Sequence, residues 1–324
     1  EANTGIGYLA LSSNTTASNN TAVGKSALAA NTTGGRNVAI GEGALLSATT
    51  ASFNTAVGAL AADAITTGEN NTAIGLQSLT SATTSSNNTA VGFQSLLLNT
   101  TGAENTAVGS LALDANSTGA NNVAMGHGAL SGNTTASNNT AIGMFGLLSN
   151  TTGANNVAVG TNALNDNTTA SNNTSIGKSS SAANTTGSEN TVVGAVAFDA
   201  NTTGSQNTSV GYGSLSGNTT ASNNTAVGYF ALLANTTGEK NTAVGSSAGD
   251  AITTGDENTA VGMSSLGATT TGGQNTAVGQ GSLQVNTTAS NNTAVGFSSL
   301  NRNTTGTSNT ALGRESLDAN TTGD

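Results

Sequence analysis

The 324 residues include no Pro, no Cys and no Trp, and only 7% are charged. Without Cys the chain has neither disulfides nor a thiolate metal site, so its stability has to come from noncovalent packing. Six Lys and Arg against sixteen Asp and Glu, a net charge of −10, exclude the clustered basic surface a nucleic-acid partner requires, and no apolar run reaches membrane-spanning length.

From the N terminus, the first element is the run Asn3–Gly7, and it returns at Asn20–Gly24, Asn37–Gly41 and onward to Asn309–Gly313. Every step is 17 residues, without insertion or deletion, which gives nineteen copies and leaves no room for a second domain. The consensus is N-T-A-V-G-x-x-A/S-L-x-x-N-T-T-G-x-x. Its first Asn is present in every copy, the residue before the glycine is always aliphatic or Met, and the second Thr of NTTG recurs from Thr16 to Thr322. A composition rich in Asn, Thr, Ser and Gly otherwise suggests disorder, but a disordered tract has no reason to hold an aliphatic residue in one phase. The array begins and ends inside a repeat and reads as an excerpt of a longer fibrous protein.

Each copy predicts one coil of an all-β parallel solenoid, a β-roll of nineteen coils. The strand is N-T-A-V-G. Its Thr or Val (Val38, Val123, Val157) and its Val or Ile share one face by the period-2 rule, and that face is expected to point inward. The intervening Ala, replaced by Gly5, Ser175 or Ser209, is then expected to face outward. The glycine turns the first corner, Ala-Leu (Ala27–Leu28, Ala129–Leu130) forms a second inward segment, and NTTG turns the second corner. Stacking in register places each side chain about 4.8 Å above its equivalent, so the strand Asn (Asn20, Asn37, Asn54, Asn71, Asn88) is expected to form an amide ladder. Blocks carrying Asp-Ala (Asp63–Ala64, Asp114–Ala115, Asp199–Ala200) repeat over several coils, as duplication of whole segments leaves behind.

The runs NVAIG (Asn37–Gly41), NVAMG (Asn122–Gly126) and NVAVG (Asn156–Gly160) resemble the head repeats of YadA-like trimeric autotransporter adhesins. The longer unit ALxxNTTGxxNTAVG resembles the repeat arrays of bacterial tail-fibre-domain proteins. The resemblance implies a left-handed β-roll, a homotrimer and a role in surface attachment. The 17-residue period is longer than the usual one in YadA-like heads, and no stalk or membrane anchor is visible here.

A search for chemistry yields no catalytic, cofactor-binding or metal-binding residue. His127 is the one histidine and sits at a variable position; the acids are too dispersed for a calcium-binding roll or a carboxylate pair; no nucleophile elbow, HExxH or Walker motif occurs. Asn-x-Ser/Thr triplets at the second corner (Asn14, Asn31, Asn99, Asn133, Asn150, Asn184, Asn201, Asn235, Asn286, Asn303) are candidate glycosylation acceptors, although an Asn- and Thr-rich repeat also generates them by chance. The two residues after the strand glycine vary most (Tyr8–Leu9, Met144–Phe145, Tyr229–Phe230, Phe297) and read as lateral contacts or binding anchors. The expected function is a structural or adhesive extracellular fibre at the cell surface, not an enzyme. It would associate with itself as a homotrimer or as a head-to-tail or lateral fibre, and meet a surface receptor or glycan. The alternative is an ice-binding solenoid using Thr ladders, against which the Thr pair of NTTG lies beside glycine at the second corner and not on a broad T-x-T face.

Overall fold

A computed structural model describes residues 2–324. The chain divides into two compact units, Glu1–Thr161 and Asn162–Asp324. The first holds ten three-residue strands, from β1 (Thr4–Ile6) to β10 (Val157–Val159), and the second holds nine, from β11 (Thr174–Ile176) to β19 (Thr310–Leu312). Within each unit every strand pairs in parallel with the next, residue for residue at the 17-residue interval: Thr21 faces Val38, and Thr208 faces Thr225. Each unit is therefore a parallel β-solenoid in which one repeat is one coil. Coil positions are counted from the strand Asn, so that Asn20 is position 1 and Gly24 position 5.

The strand faces the opposite way from the sequence expectation. The middle residue is the buried one: Ala22, Ala39, Ala107, Val192, Ser175 and Ser209 are all fully enclosed, while Thr and Val on either side are half-exposed or exposed. Alternation fixes which residues share a face but not which face is in. The coil is so narrow that the strand reaches the Ala-Leu segment opposite with no more than a methyl or hydroxymethyl in most copies. Two β-branched side chains per strand do not fit inside; one Ala does. The Ala-Leu segment itself is buried as expected, Ala27 and Leu28 completely.

Two adjacent residues, Ala27 and Leu28, both point inward because the backbone alternates in hand. Ser26 and Leu28 have φ of 57° and 50°, and Arg36 at the end of the coil has 61°. Left-handed backbone costs a non-glycine residue about 1–2 kcal/mol. In exchange it rotates successive peptides so that their N–H groups lie along the stack. Ser26 N–H donates to Tyr8 O of the preceding coil at 2.8 Å, and Leu28 N–H donates to Ala44 O of the following coil at 3.0 Å. At the first corner the requirement is stricter. Gly24 has φ +138°, and a Cβ there would lie 2.5 Å from Gly41 O, backbone against backbone.

The core is a single file of side chains, and its volume is balanced between coils. Leu at position 9 is replaced by Ala62 and Gly249, and in those two coils Ile65 and Ile252 stand at position 12 and are buried. A Cβ on Gly249 would meet Ile252 Cδ1 at 2.9 Å, so the Ile occupies the space the Leu leaves. Neighbouring coils compensate as well: Ser175, Ser180 and Ser181, which bond one another, underlie the bulky Val192 and Phe198 of the next coil.

Candidate functional site

Two Asn columns run along each unit, and both are buried. At position 1 the side chain grips backbone. Asn20 Oδ1 accepts the N–H of Asn37 in the next coil at 2.8 Å, and its Nδ2 donates to Gly34 O across its own coil at 2.9 Å. Asn37, Asn54, Asn71 and Asn88 repeat both contacts. Amide-to-amide bonds also occur in this column, as from Asn71 Nδ2 to Asn54 Oδ1 at 3.1 Å. At position 12 that amide-to-amide bond is the repeating contact. Asn116 donates to Asn99, Asn133 to Asn116, Asn150 to Asn133, Asn201 to Asn184 and Asn303 to Asn286, at 2.8–3.2 Å.

The position-12 Asn residues are the candidate glycosylation acceptors. Asn31, Asn99, Asn133, Asn150, Asn184, Asn201, Asn235, Asn286 and Asn303 are enclosed, and Asn14 in the first coil is half-buried. In each, Nδ2 donates to the backbone carbonyl three residues on, as in Asn31 to Gly34. That nitrogen is the atom a glycan would occupy, so glycan and ladder exclude each other in the folded coil.

Outside, the strands present two columns. Position 2 is Thr or Val and position 4 is Val, Ile, Met or Leu; Ile40, Ile74, Met125, Ile142 and Ile176 are exposed, Met125 by 42%. The face holds no charge in any copy, and its threonines stand at strand spacing, about 4.8 Å apart. The Thr at position 13 is a different matter: its hydroxyl donates to the backbone of the next coil, as Thr32 Oγ1 does to Thr49 O at 3.0 Å, so the corner hydroxyls are spent on stacking.

A second face carries positions 6, 7, 10 and 11. Tyr212 and Tyr229, on consecutive coils, stack with ring centres 5.7 Å apart and planes within 14°. Phe230 tilts against both, at 5.6 Å and 4.1 Å. Gly213 lies beneath Phe230, where a Cβ would come within 2.5 Å of the ring. In the first unit His127 meets Phe145 edge-on at 5.2 Å, and Phe145 likewise lies over a glycine, Gly128. Sequence reading named Phe230 and Phe145 but did not pair them with Tyr212 and His127; the 17-residue offset carried that information.

Four aspartates at position 10 of this face divide in two. Asp114 and Asp199 accept from Ser131 and Ser216 of the following coil at 2.6 Å. Asp63 and Asp250 have no such hydroxyl: Thr80 donates instead to Leu60 O, and Gly267 follows Asp250. Burial therefore holds both carboxyls above the ordinary carboxylate range, against the weaker pull of nearby N–H and O–H groups. Among the described residues no group of three or more His, Cys, Asp or Glu is placed to hold a metal ion, and no helix is long and apolar enough to cross a membrane. No protein-family model matches the chain, and no curated protein matches its sequence.

Proposed function

We infer that this chain is a building segment of a self-associating, non-enzymatic extracellular fibre with a structural or adhesive role, and that copies meet through the strand face. The observation that carries this reading is the column of outward apolar residues at position 4 in each unit. Each coil contributes one, none is charged, and an identical column on a second copy is its natural cover. The resemblance to YadA-like heads points the same way and favours three copies. Light scattering and sedimentation at rising concentration test it. A mass of three chains or more is expected, and lysines in place of Val227, Val244 and Val261 should return it to one chain; a wild type that stays a 31.1 kDa monomer at high concentration rejects self-association.

One observation favours a second reading. The strand threonines face outward beside the aliphatic column, so the protein has a flat T-x-V face as well as corner threonines. Such a face, with hydroxyls and methyls at regular intervals, is suited to binding ice. Thermal hysteresis at micromolar protein would establish that reading, and its loss on converting Thr225, Thr242 and Thr259 to Lys would locate it.

A further inference from the structure

The aromatic cluster of the second unit lies on a different face from the strands. The Tyr212–Tyr229 stack has an outer ring face at each end, and the neighbouring coils place only the methyl of Ala195 and the hydroxymethyl of Ser246 at the same position. The two tyrosines are 51% and 53% exposed. Phe230, seated on Gly213, braces both rings from one side. Next to Ala195 an open depression on the same face is lined by Asn162, Asp166, Ser179, Val196 and Asp199. Flat exposed rings and a shallow trough of amide, hydroxyl and carboxylate groups thus lie together.

We propose that this cluster binds a neutral hexopyranose chain. A pyranose has an apolar C–H face that stacks on an aromatic ring and a rim of hydroxyls that donates to carboxylates and amides, and both requirements are met here. The charge weighs against the anionic alternatives: Asp166 and Asp199 line the trough, the one cation nearby in the coil pattern is Lys178 beside Ser179, and the whole chain carries −10.

The chain supplies its own comparison. Five coils earlier the same frame recurs: Asp114 with Ser131 for Asp199 with Ser216, and Phe145 on Gly128 for Phe230 on Gly213. There His127 and Met144 stand where the tyrosines stand in the second unit. The binding site is the frame with both tyrosines; the earlier copy lacks the stacking surface.

The chain has no Trp and three Tyr, two of them in the cluster, so tyrosine emission reports on the site directly. Cellohexaose and β-1,4-galactohexaose are titrated against the intact chain, with a heparin hexasaccharide as the anionic probe, and saturation-transfer NMR locates the contact. A saturable response to a neutral probe, with a dissociation constant on the order of 1 mM, is expected. Y212A/Y229A should weaken binding at least tenfold by saturation transfer, and H127Y/M144Y should add a second site. The idea is overturned by the absence of binding to either neutral probe, by equal binding to Y212A/Y229A, or by preference for heparin. It is also overturned if Y212A/Y229A lowers the assembled mass, since the rings would then be a contact between copies. Lysines on the strand face dissociate the fibre without touching this site, so the two readings fail separately.

Discussion

The two Asn columns use the same side chain and tolerate change very differently. Position 1 is Asn in all nineteen copies, whereas position 12 becomes Ala48, Ile65 and Ala82 in three consecutive coils and Ile252 and Thr269 in two more. The difference lies in what each amide holds. Position 1 binds an N–H and a C=O of the backbone, which no substitution elsewhere can remove. Position 12 shares its backbone carbonyl with the position-1 amide, as Asn31 and Asn20 share Gly34 O, and otherwise binds its own equivalent in the neighbouring coil, so replacing a whole block removes donor and acceptor together and leaves the cost at the ends. The ends show it. Asn31 Oδ1 and Asn235 Oδ1, each facing an apolar residue in the following coil, are buried without a hydrogen bond. At the opposite ends Asn99 turns to Ser85 Oγ at 3.3 Å, and Asn286 to Thr269 Oγ1 at 3.2 Å.

This contrast orders the effects of substitution. Asn207→Ala strips the Asn224 N–H and one donor to Ala221 O, so a buried backbone group is left unmatched; destabilisation of about 3 kcal/mol is expected in the surrounding coils, read by native-state hydrogen exchange because an array need not unfold as one unit. Asn201→Ala leaves Asn184 Oδ1 unpaired and takes an acceptor from Asn218, and should cost about 2 kcal/mol by the same measurement. Asn235→Ala only moves the orphan acceptor back one coil, to Asn218 Oδ1, so about 1 kcal/mol is expected. Equal losses at Asn201 and Asn235 would show that the ladder does not act as a connected run.

The smallest effect has the opposite sign. Asp63 and Asp250 lie in the two Ile coils, and burial raises both carboxyls above their unfolded value. Folding is therefore favoured most below the ordinary carboxylate range, and this contribution is lost as pH rises through the raised folded value. Asp63→Asn should melt higher than the wild type at pH 7 and equally at pH 3. The corresponding change at Asp114 weakens the hydrogen bond its carboxylate accepts from Ser131 Oγ and should not raise the melting temperature at pH 7.

Much of this fold was legible in the sequence, because in-register stacking makes one local rule hold nineteen times. The period, the strand, the glycine corner and the buried Ala-Leu pair all follow from residue type and phase. The side of the strand did not. Thr and Val carry strong strand preference, and that preference says nothing about room inside the coil; only the width set by Leu28 opposite Ala22 decides it. The Asn roles were harder still. A triplet such as Asn201–Thr203 meets the rule for a glycan acceptor and for a stacking amide equally well, and only the fold shows Asn201 buried with its Nδ2 bonded to Asn184 Oδ1 and Gly204 O. The aromatic cluster was missed because Tyr212 and Tyr229 become neighbours only when one coil is laid on the next.

The column of corner glycines has a consequence for how such a chain changes over generations. Within each unit the corner glycines are pressed backbone to backbone, so a single residue inserted at that corner would put a side chain where none fits and break the ladder of the coil that carries it. Seventeen residues added or removed together leave the strand register and the glycine corner intact. Length can therefore change cleanly only in whole coils, the step that recombination between copies would supply.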